Sequence, residues 1–517
     1  MVLEGEALYR NAVTAGALGF ITFGWDAGVL GGVLLTTPFQ EAVGYPNTTI
    51  TSMITSAFLL ASWLGCITIT VFGMNMGRKN WIIAGEVVQM IGTIISATSY
   101  SYGQLIAGRV LIGVGNGFCT SLIPVYVAEM AISVPKRGAA VNLMICSAAG
   151  GIALAYWVDF GMTFATGQAV WRFPVAFQIF WSLVTIAFLL PNPDTPRYYY
   201  ATGRSAEGDA TLSRLYARPL SDAAVARSKG DILASIELEK VATASLRLKD
   251  FFYDTSDLQA ARRIRTGVFL VGIGYMIGTD MIYYYLSTIF QAYIGLPATT
   301  ASAMSAVATT VLTVTNFLGA TFMERFGRRT WLIAGAIGQS IFMATFTGLM
   351  SSPGAQTGAA AASMLFGWIA VFGPTWGPVP YVYASEVMPL RYRHIGFALS
   401  VSAQWLSAFL TTFAGPIAIA DASVGWKTWI WFLVFNVVAG PYVYFCCPET
   451  RGRTLEEVDL LFMSQRLQGT SAAKQLEHTA SLSSASRSSG DVEDVGAEVP
   501  KGEKTGEWLV GGFVCDY

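Results

Sequence analysis

The sequence predicts an all-α, polytopic membrane protein with twelve transmembrane helices in two pseudo-symmetric six-helix halves. Three observations carry this. The first is composition. The chain has 517 residues, of which 53% are hydrophobic and 13% charged, about half the charge of an ordinary soluble chain. Its mean hydropathy is +0.50. So few polar groups cannot clothe a large water-facing surface. The second is the run of segments free of Asp, Glu, Lys and Arg: 42–77, 87–108, 110–128, 138–158, 173–193, 281–323, 330–385, 395–420 and 428–448. A helix needs about 20 mainly apolar residues to cross the hydrocarbon core. The third is that short charged motifs occur twice at nearly one offset.

Two of the charge-free segments are long enough for two spans each. Pro297 divides one and Ser351-Ser352-Pro353-Gly354 the other. With the runs near 13–35 and 266–290, the expected spans are 13–35, 51–72, 81–98, 104–130, 139–160, 172–190, 266–290, 298–322, 331–351, 359–384, 395–420 and 427–446. This sets out a cytoplasmic N-terminus 1–12, a first half 13–190 and a central cytoplasmic loop 191–265 with short helices. A second half 266–446 and a tail 447–517 follow. The Ser-, Gly- and acid-rich tail reads as disordered after about 465.

Lys and Arg set the orientation. With the N-terminus inside, only Arg109, Arg172 and Lys427 of the 32 Lys and Arg avoid the cytoplasmic side. Both termini are then cytoplasmic. The sequon Asn47-Thr48-Thr49 falls in the first outside loop and is a glycosylation candidate, with a chance occurrence as the alternative. Residues 1–10 are polar and no cleavable signal is evident.

The net charge of −1 gives no support for nucleic-acid binding. Six cysteines without C-x-x-C spacing and two histidines indicate neither a disulfide framework nor a metal site. No nucleophile–base constellation or phosphate loop emerges, so no enzyme is expected. Gly113-x-Gly115-x-Gly117 sits in an apolar run, where small residues serve close helix packing.

The duplication is read from three pairs. Gly77-Arg78-Lys79 recurs as Gly327-Arg328-Arg329. Glu129 ahead of Lys136-Arg137 recurs as Glu386 ahead of Arg391 and Arg393. Pro193-Asp194-Thr195-Pro196-Arg197 recurs as Pro448-Glu449-Thr450-Arg451. The arginines can pair with Glu129 and Glu386 and break those pairs when the inside opens, a cytoplasmic gate. The expected gate residues are Gly77, Arg78, Glu129, Arg137, Gly327, Arg328, Glu386 and Arg393. Loop anchoring is the competing reading.

The sequence resembles the sugar porter family of the major facilitator superfamily over about 15–458. Phe23-Gly24-Trp25-Asp26-Ala27-Gly28-Val29 resembles its first-span signature, and Gly108-Arg109 through Pro124-Val125-Tyr126-Val127-Ala128-Glu129 its fourth span. Pro193 to Arg197 and Pro448 to Glu457 resemble the motifs after spans six and twelve. Trp376-Gly377-Pro378-Val379-Pro380 with Glu386 resembles span ten. The phrases AYWVDFGM and WRFPVAFQIFW are similar to the filamentous-fungal branch.

The resemblance implies the superfamily fold and alternating access. It implies transport of a sugar, polyol or related molecule through the plasma membrane, energised by a proton gradient with no cofactor. The expected partners are that small molecule, protons and the bilayer, with no nucleic acid, and a monomer is expected. Asp26 and Arg109 resemble the acid–arginine couple of proton-linked porters: an Asp26 exposed to water takes a proton and releases Arg109. A purely structural pair is the alternative.

The substrate residues depart from the family. Its QQ-x-x-G-x-N stretch reads Gly274-Tyr275-Met276-Ile277-Gly278-Thr279-Asp280 here. The span-five glutamine aligns near Ile145. The span-eight asparagine aligns near Leu312, with Asn316 one turn away. The span-ten tryptophan is Tyr381, and the asparagine before Trp405 is Gln404. The expected substrate residues are Asp280, Tyr284, Asn316, Trp376, Tyr381, Gln404 and Trp405. Asp280 can hydrogen-bond a polyol, attract an amino group or take a second proton, or it faces water at the helix's outer end. In the gate, Met74 replaces an acid, whereas the second half keeps Glu324-Arg325. Glu86 has no evident partner except Arg78 or Lys79. The leading reading is a proton-coupled importer, the alternative an exporter of a small secondary metabolite, and a distant third a non-transporting nutrient sensor.

Overall fold

A computed structural model describes residues 3–72, 76–132, 134–244, 259–352, 355–388, 393–453, 457–458 and 461–462. The tail reading, Met74 and Asn75 lie outside these, as do the side chains of Arg137, Glu324 and Arg393. The chain divides into two units, Met1–Gly452 and Arg453–Tyr517, and every element below belongs to the first.

The described residues are helical throughout, with no strand. The first six spans are α1 (Gly5–Val33), α3 (Thr48–Phe72), α4 (Arg78–Ala97), α5 (Tyr102–Met130), α6 (Val134–Met162) and α7 (Ala169–Leu189), with short α2 (Thr37–Val43) outside α1. The central loop carries α8 (Pro196–Ala201), α9 (Ser205–Tyr216) and α10 (Ala223–Ala244). The later spans are α11 (Ala260–Met276) with α12 (Thr279–Tyr284), α13 (Ala298–Phe326), α14 (Arg328–Met350), α15 (Ala355–Phe372) with α16 (Val379–Val387), α17 (Arg393–Ala420) and α18 (Thr428–Cys446). Among the described residues, eleven helical segments are long and apolar enough to cross a membrane, and Thr357–Phe372 is a shorter apolar helix.

Several bounds differ from the sequence reading. The first helix starts at Gly5, not near 13, because Gly5 to Arg10 form helical turns before the apolar run, with Leu8 and Tyr9 buried. Two expected continuous spans are broken. The seventh breaks at Gly278, whose φ of 101° ends α11 and starts α12 on a new axis. The freed carbonyls find side-chain donors: Asn436 Nδ2 donates to Ile277 O at 3.3 Å and Thr279 Oγ1 to Gly274 O at 2.9 Å. The tenth breaks between Phe372 and Val379, where Pro374 and Pro378 supply no N–H. There Trp331 Nε1 donates to Pro374 O at 2.7 Å.

Close helix approach explains the glycines of α5. A Cβ on Gly113 would run into Phe58 O, on Gly115 into Gly85 O and on Gly117 into Ser62 O. Gly113 and Gly117 thus face α3, and Gly115 faces α4. Across the halves, α3 packs on α17, α6 on α13, and α1 on α12.

Candidate transport site

The two repeated motif sets fold into the same cassette. Gly77 and Gly327 take φ of 86° and 89° and turn the chain into α4 and α14. Asp194 accepts from the backbone N–H of Arg78 and Lys79, both at 3.2 Å. Glu449 accepts from Arg328 N at 2.9 Å and Arg329 N at 3.1 Å. Each acid thus caps a helix whose first amides have no internal partner. Arg78 meets Glu129 at 3.2 Å, and Arg328 meets Glu386 at 2.9 Å. Thr195 donates to Glu129 at 2.5 Å and Thr450 to Glu386 at 2.7 Å. Tyr126 and Tyr383 donate to Pro193 O and Pro448 O.

Each of these ion pairs joins residues of one half. Arg197 of α8 also meets Glu129, at 3.8 Å, and ties the start of the central loop to the first half. The pairs hold loops to their own bundle in this conformation. Neither Arg78 nor Lys79 pairs with Glu86. Lys79 instead donates to Leu190 O and Asn192 O, because the helix start points both cations at the loop and away from the span interior.

At the end opposite these cassettes, the halves are joined by neutral groups. Tyr156 of α6 donates to Tyr283 O of α12 at 2.5 Å. Tyr285 and Thr55 of α3 hydrogen-bond through their hydroxyls. Asp159 of α6 lies beside this closure, 4% exposed, against Gly32 of α1, with both carboxylate oxygens outside any hydrogen bond. Asn47 is exposed, and its Oδ1 accepts from Ile50 N at 2.9 Å as the cap of α3.

Asp26 and Arg109 meet in the interior. Oδ1 accepts from Nη1 at 2.5 Å, and the side chains are 1% and 2% exposed. Arg109 also donates to Ile54 O at 3.3 Å and lies 4.9 Å from the Phe58 ring centroid. Gln178 of α7 lies alongside Asp26. Trp25 Nε1 donates to Pro174 O, which fixes this stretch of α1 on α7.

The later half brings most of the expected substrate residues together. Asp280 opens α12, half-buried, in the first turn after the break. The Tyr275 and Tyr381 hydroxyls meet at 2.5 Å, with Gln404 beside Tyr381 and Asp280 within electrostatic range of both. Tyr284 stands in range of Asp280 and of the Asp26–Arg109 pair. Trp405 packs edge-on against Phe23 and Phe58 of the first half, centroids 5.7 and 6.4 Å apart. Trp376 Nε1 donates to Leu332 O, and its ring lies over Gly274. Asn316 bonds back to Leu312 O at 3.2 Å and packs on Gly377, with no hydrogen bond to the cluster among the described residues. Sequence reasoning gave Tyr275, Gln178, Phe58 and Asp159 no role. Asp159 carried a signal: a lone acid at the end of a charge-free run.

A family model described as "Sugar (and other) transporter" matches residues 12–462. The chain belongs to this sugar transporter family of the major facilitator superfamily. It is a multi-pass membrane transporter, and its relatives are transporters, not enzymes. The MFS-type transporter oryC of Aspergillus oryzae is 30% identical over 471 residues, covering 89% of this chain and 87% of its own. The sugar transporter STL1 of Saccharomyces cerevisiae is 29% identical over 495 residues, covering 93% and 86%. Among solved structures, the proton:xylose symporter XylE bound to 6-bromo-6-deoxy-D-glucose aligns with a TM-score of 0.74 at 21% identity, over 89% of this chain and 100% of that one. A partially occluded inward-open XylE from E. coli gives 0.73 at 20% identity, over 87% and 100%. These two likenesses carry the fold.

Proposed function

We propose that this family member imports a sugar or polyol across the plasma membrane, driven by a proton gradient, with both termini in the cytoplasm. The observation that carries the coupling is the buried Asp26–Arg109 pair. Removing one partner of a buried ion pair leaves an uncompensated charge at a cost of about 3–5 kcal/mol. A proton on Asp26 therefore frees Arg109 only in a conformation that can rehydrate or re-pair it. Proton and conformation become linked. The Phe58 ring, shared by Arg109 and Trp405, connects the pair to the aromatic cluster of the other half.

In this reading Asp280, Tyr284, Tyr381, Gln404 and Trp405 hold the cargo, with Trp376 and Asn316 behind them, and the gradient is the only energy source. The two cassettes keep each cytoplasmic end rigid while the halves rock. Relatives fit the class: they include a sugar transporter and a high-affinity hexose transporter of Saccharomyces cerevisiae.

One observation favours an exporter of a small metabolite instead. The cluster presents a carboxyl and two linked phenols where the family resemblance leads one to expect amides. The test is uptake of labelled hexoses, pentoses and polyols by transporter-deficient cells expressing the chain, with and without an uncoupler. Uncoupler-sensitive accumulation of one compound supports the importer. No uptake with the protein at the surface favours the exporter.

A further inference from the structure

Glu86 is fully buried in α4, inside a membrane span, with both oxygens outside any hydrogen bond. It is not alone. Asp26 Oδ2, both polar atoms of the Gln178 amide and Ser182 Oγ are also buried without partners. These atoms form a row. Gln178 lies close enough to Asp26, and Ser182 close enough to Glu86, to interact electrostatically, although neither pair reaches hydrogen-bonding geometry, and Ser182 is one helical turn further along α7 than Gln178. A Cβ on Gly19 of α1 would run into the Ile123 Cδ1 methyl and lie 3.6 Å from Glu86 Oε1 and 3.7 Å from the Thr185 methyl, which places both side chains beside Glu86.

The row continues. A small, mainly apolar cavity lined by Ala15, Gly16, Ile82, Ile123, Thr185 and Leu189, with Tyr126 at its end, lies one turn further toward the motif loops. At its end Tyr126 donates to Pro193 O at 3.1 Å, inside the first cassette. Glu86 is eight residues from Arg78, the start of α4, or about 12 Å of helix. Among the described residues, the groups beside its carboxyl are Ser182 and the Thr185 methyl on α7, Cys119 and Ile123 on α5 and Gly19 on α1, and none is charged.

Buried polar atoms with no protein partner are satisfied by water where the site is polar enough to hold it. Ionisable groups in chains through membrane helices mark proton relays. We infer that protons leaving Asp26 for the cytoplasm pass through the first half itself, by way of Gln178, Ser182 and Glu86, apart from the substrate route between the halves. This rests on the coupling role proposed for Asp26. In the step, the Asp26 O–H bond breaks and its electron pair stays on the carboxylate, which re-forms its pair with Arg109. The proton passes along hydrogen-bonded water to the Glu86 carboxylate. Glu86 then loses a proton toward the cytoplasmic cassette, so one proton crosses and nothing is oxidised or reduced. A path inside one half leaves the cargo route free of the proton's hydration.

The experiment uses the full chain in liposomes, with no substrate, and follows carboxyl stretching bands by infrared difference spectroscopy after a pH jump on the cytoplasmic side. Bands are assigned by their loss in Asp26→Asn and Glu86→Gln. In Glu86→Gln the Asp26 band should respond roughly 100-fold more slowly, and Glu86→Asp should restore much of the rate. Ser182→Ala, which removes one hydroxyl, should slow it in the same direction and keeps the test usable if Glu86→Gln misfolds. An Asp26 band that responds at the wild-type rate in both Glu86→Gln and Ser182→Ala overturns the path while leaving the coupling role intact. A wild type in which no band assigned to Asp26 responds to pH on either side overturns the coupling role, and the path with it.

Discussion

Trp405 of the second half rests edge-on against Phe58 of the first, with ring centroids 6.4 Å apart, and the same Phe58 ring carries the Arg109 guanidinium at 4.9 Å. One aromatic ring therefore touches both the ion pair and the cluster that faces it. A change in how Arg109 is held changes what Trp405 packs against.

This contact predicts that Phe58→Leu, which keeps apolar bulk and loses the ring, weakens coupling more than transport. Cation–π attraction contributes about 0.5–2 kcal/mol. The accumulation ratio of a transported sugar should fall several-fold while exchange of labelled for unlabelled sugar stays near wild type. Equal loss of both would show that Phe58 only supports the fold.

The closure opposite the cassettes is built from hydroxyls, and it should loosen when they go. Tyr285→Phe removes the Thr55 link and Tyr156→Phe the bond to Tyr283 O. Each hydrogen bond contributes about 1 kcal/mol, so the double variant should shift the outward population by about tenfold or more. Labelling of an added Ser287→Cys by an impermeant thiol reagent from outside should accelerate accordingly. An unchanged labelling rate would contradict the closure.

The two cassettes predict matched stability losses. Asp194→Ala and Glu449→Ala each strip the cap from two backbone N–H groups. Each should cost about 1–2 kcal/mol, read as lowered thermal unfolding temperatures of the detergent-purified protein. A loss confined to one half would break the equivalence.

The fold was legible because its determinants are long and local. Twelve apolar runs, the Lys and Arg bias and three repeated motifs need no tertiary knowledge. The breaks were not. Gly278 sits in an apolar run whose hydropathy does not register a change of φ, and Pro374 and Pro378 look like ordinary kinks until six residues leave the helix. Asp26 and Arg109 were legible as charges standing alone inside spans. Tyr285, Thr55 and Tyr156 were not, because a neutral hydroxyl leaves no charge pattern and its partner lies in the other half. The arginine–glutamate motifs were visible, but only coordinates show that Arg78 and Arg328 each pair within their own half.

Asp280 separates cargo classes. For a neutral sugar or polyol, Asp280→Asn keeps a hydrogen-bonding group of the same shape, so uptake should survive with KM changed by about tenfold or less. Complete loss of uptake would point to a cargo with an amino group or other positive charge.

The most direct measurement of the central claim is uphill accumulation by Asp26→Asn beside the wild type, at matched surface expression, with exchange measured in the same cells. The account predicts that accumulation above the external concentration disappears and that exchange persists. Accumulation at the wild-type level, still abolished by an uncoupler, would contradict the role of the Asp26–Arg109 pair in proton coupling.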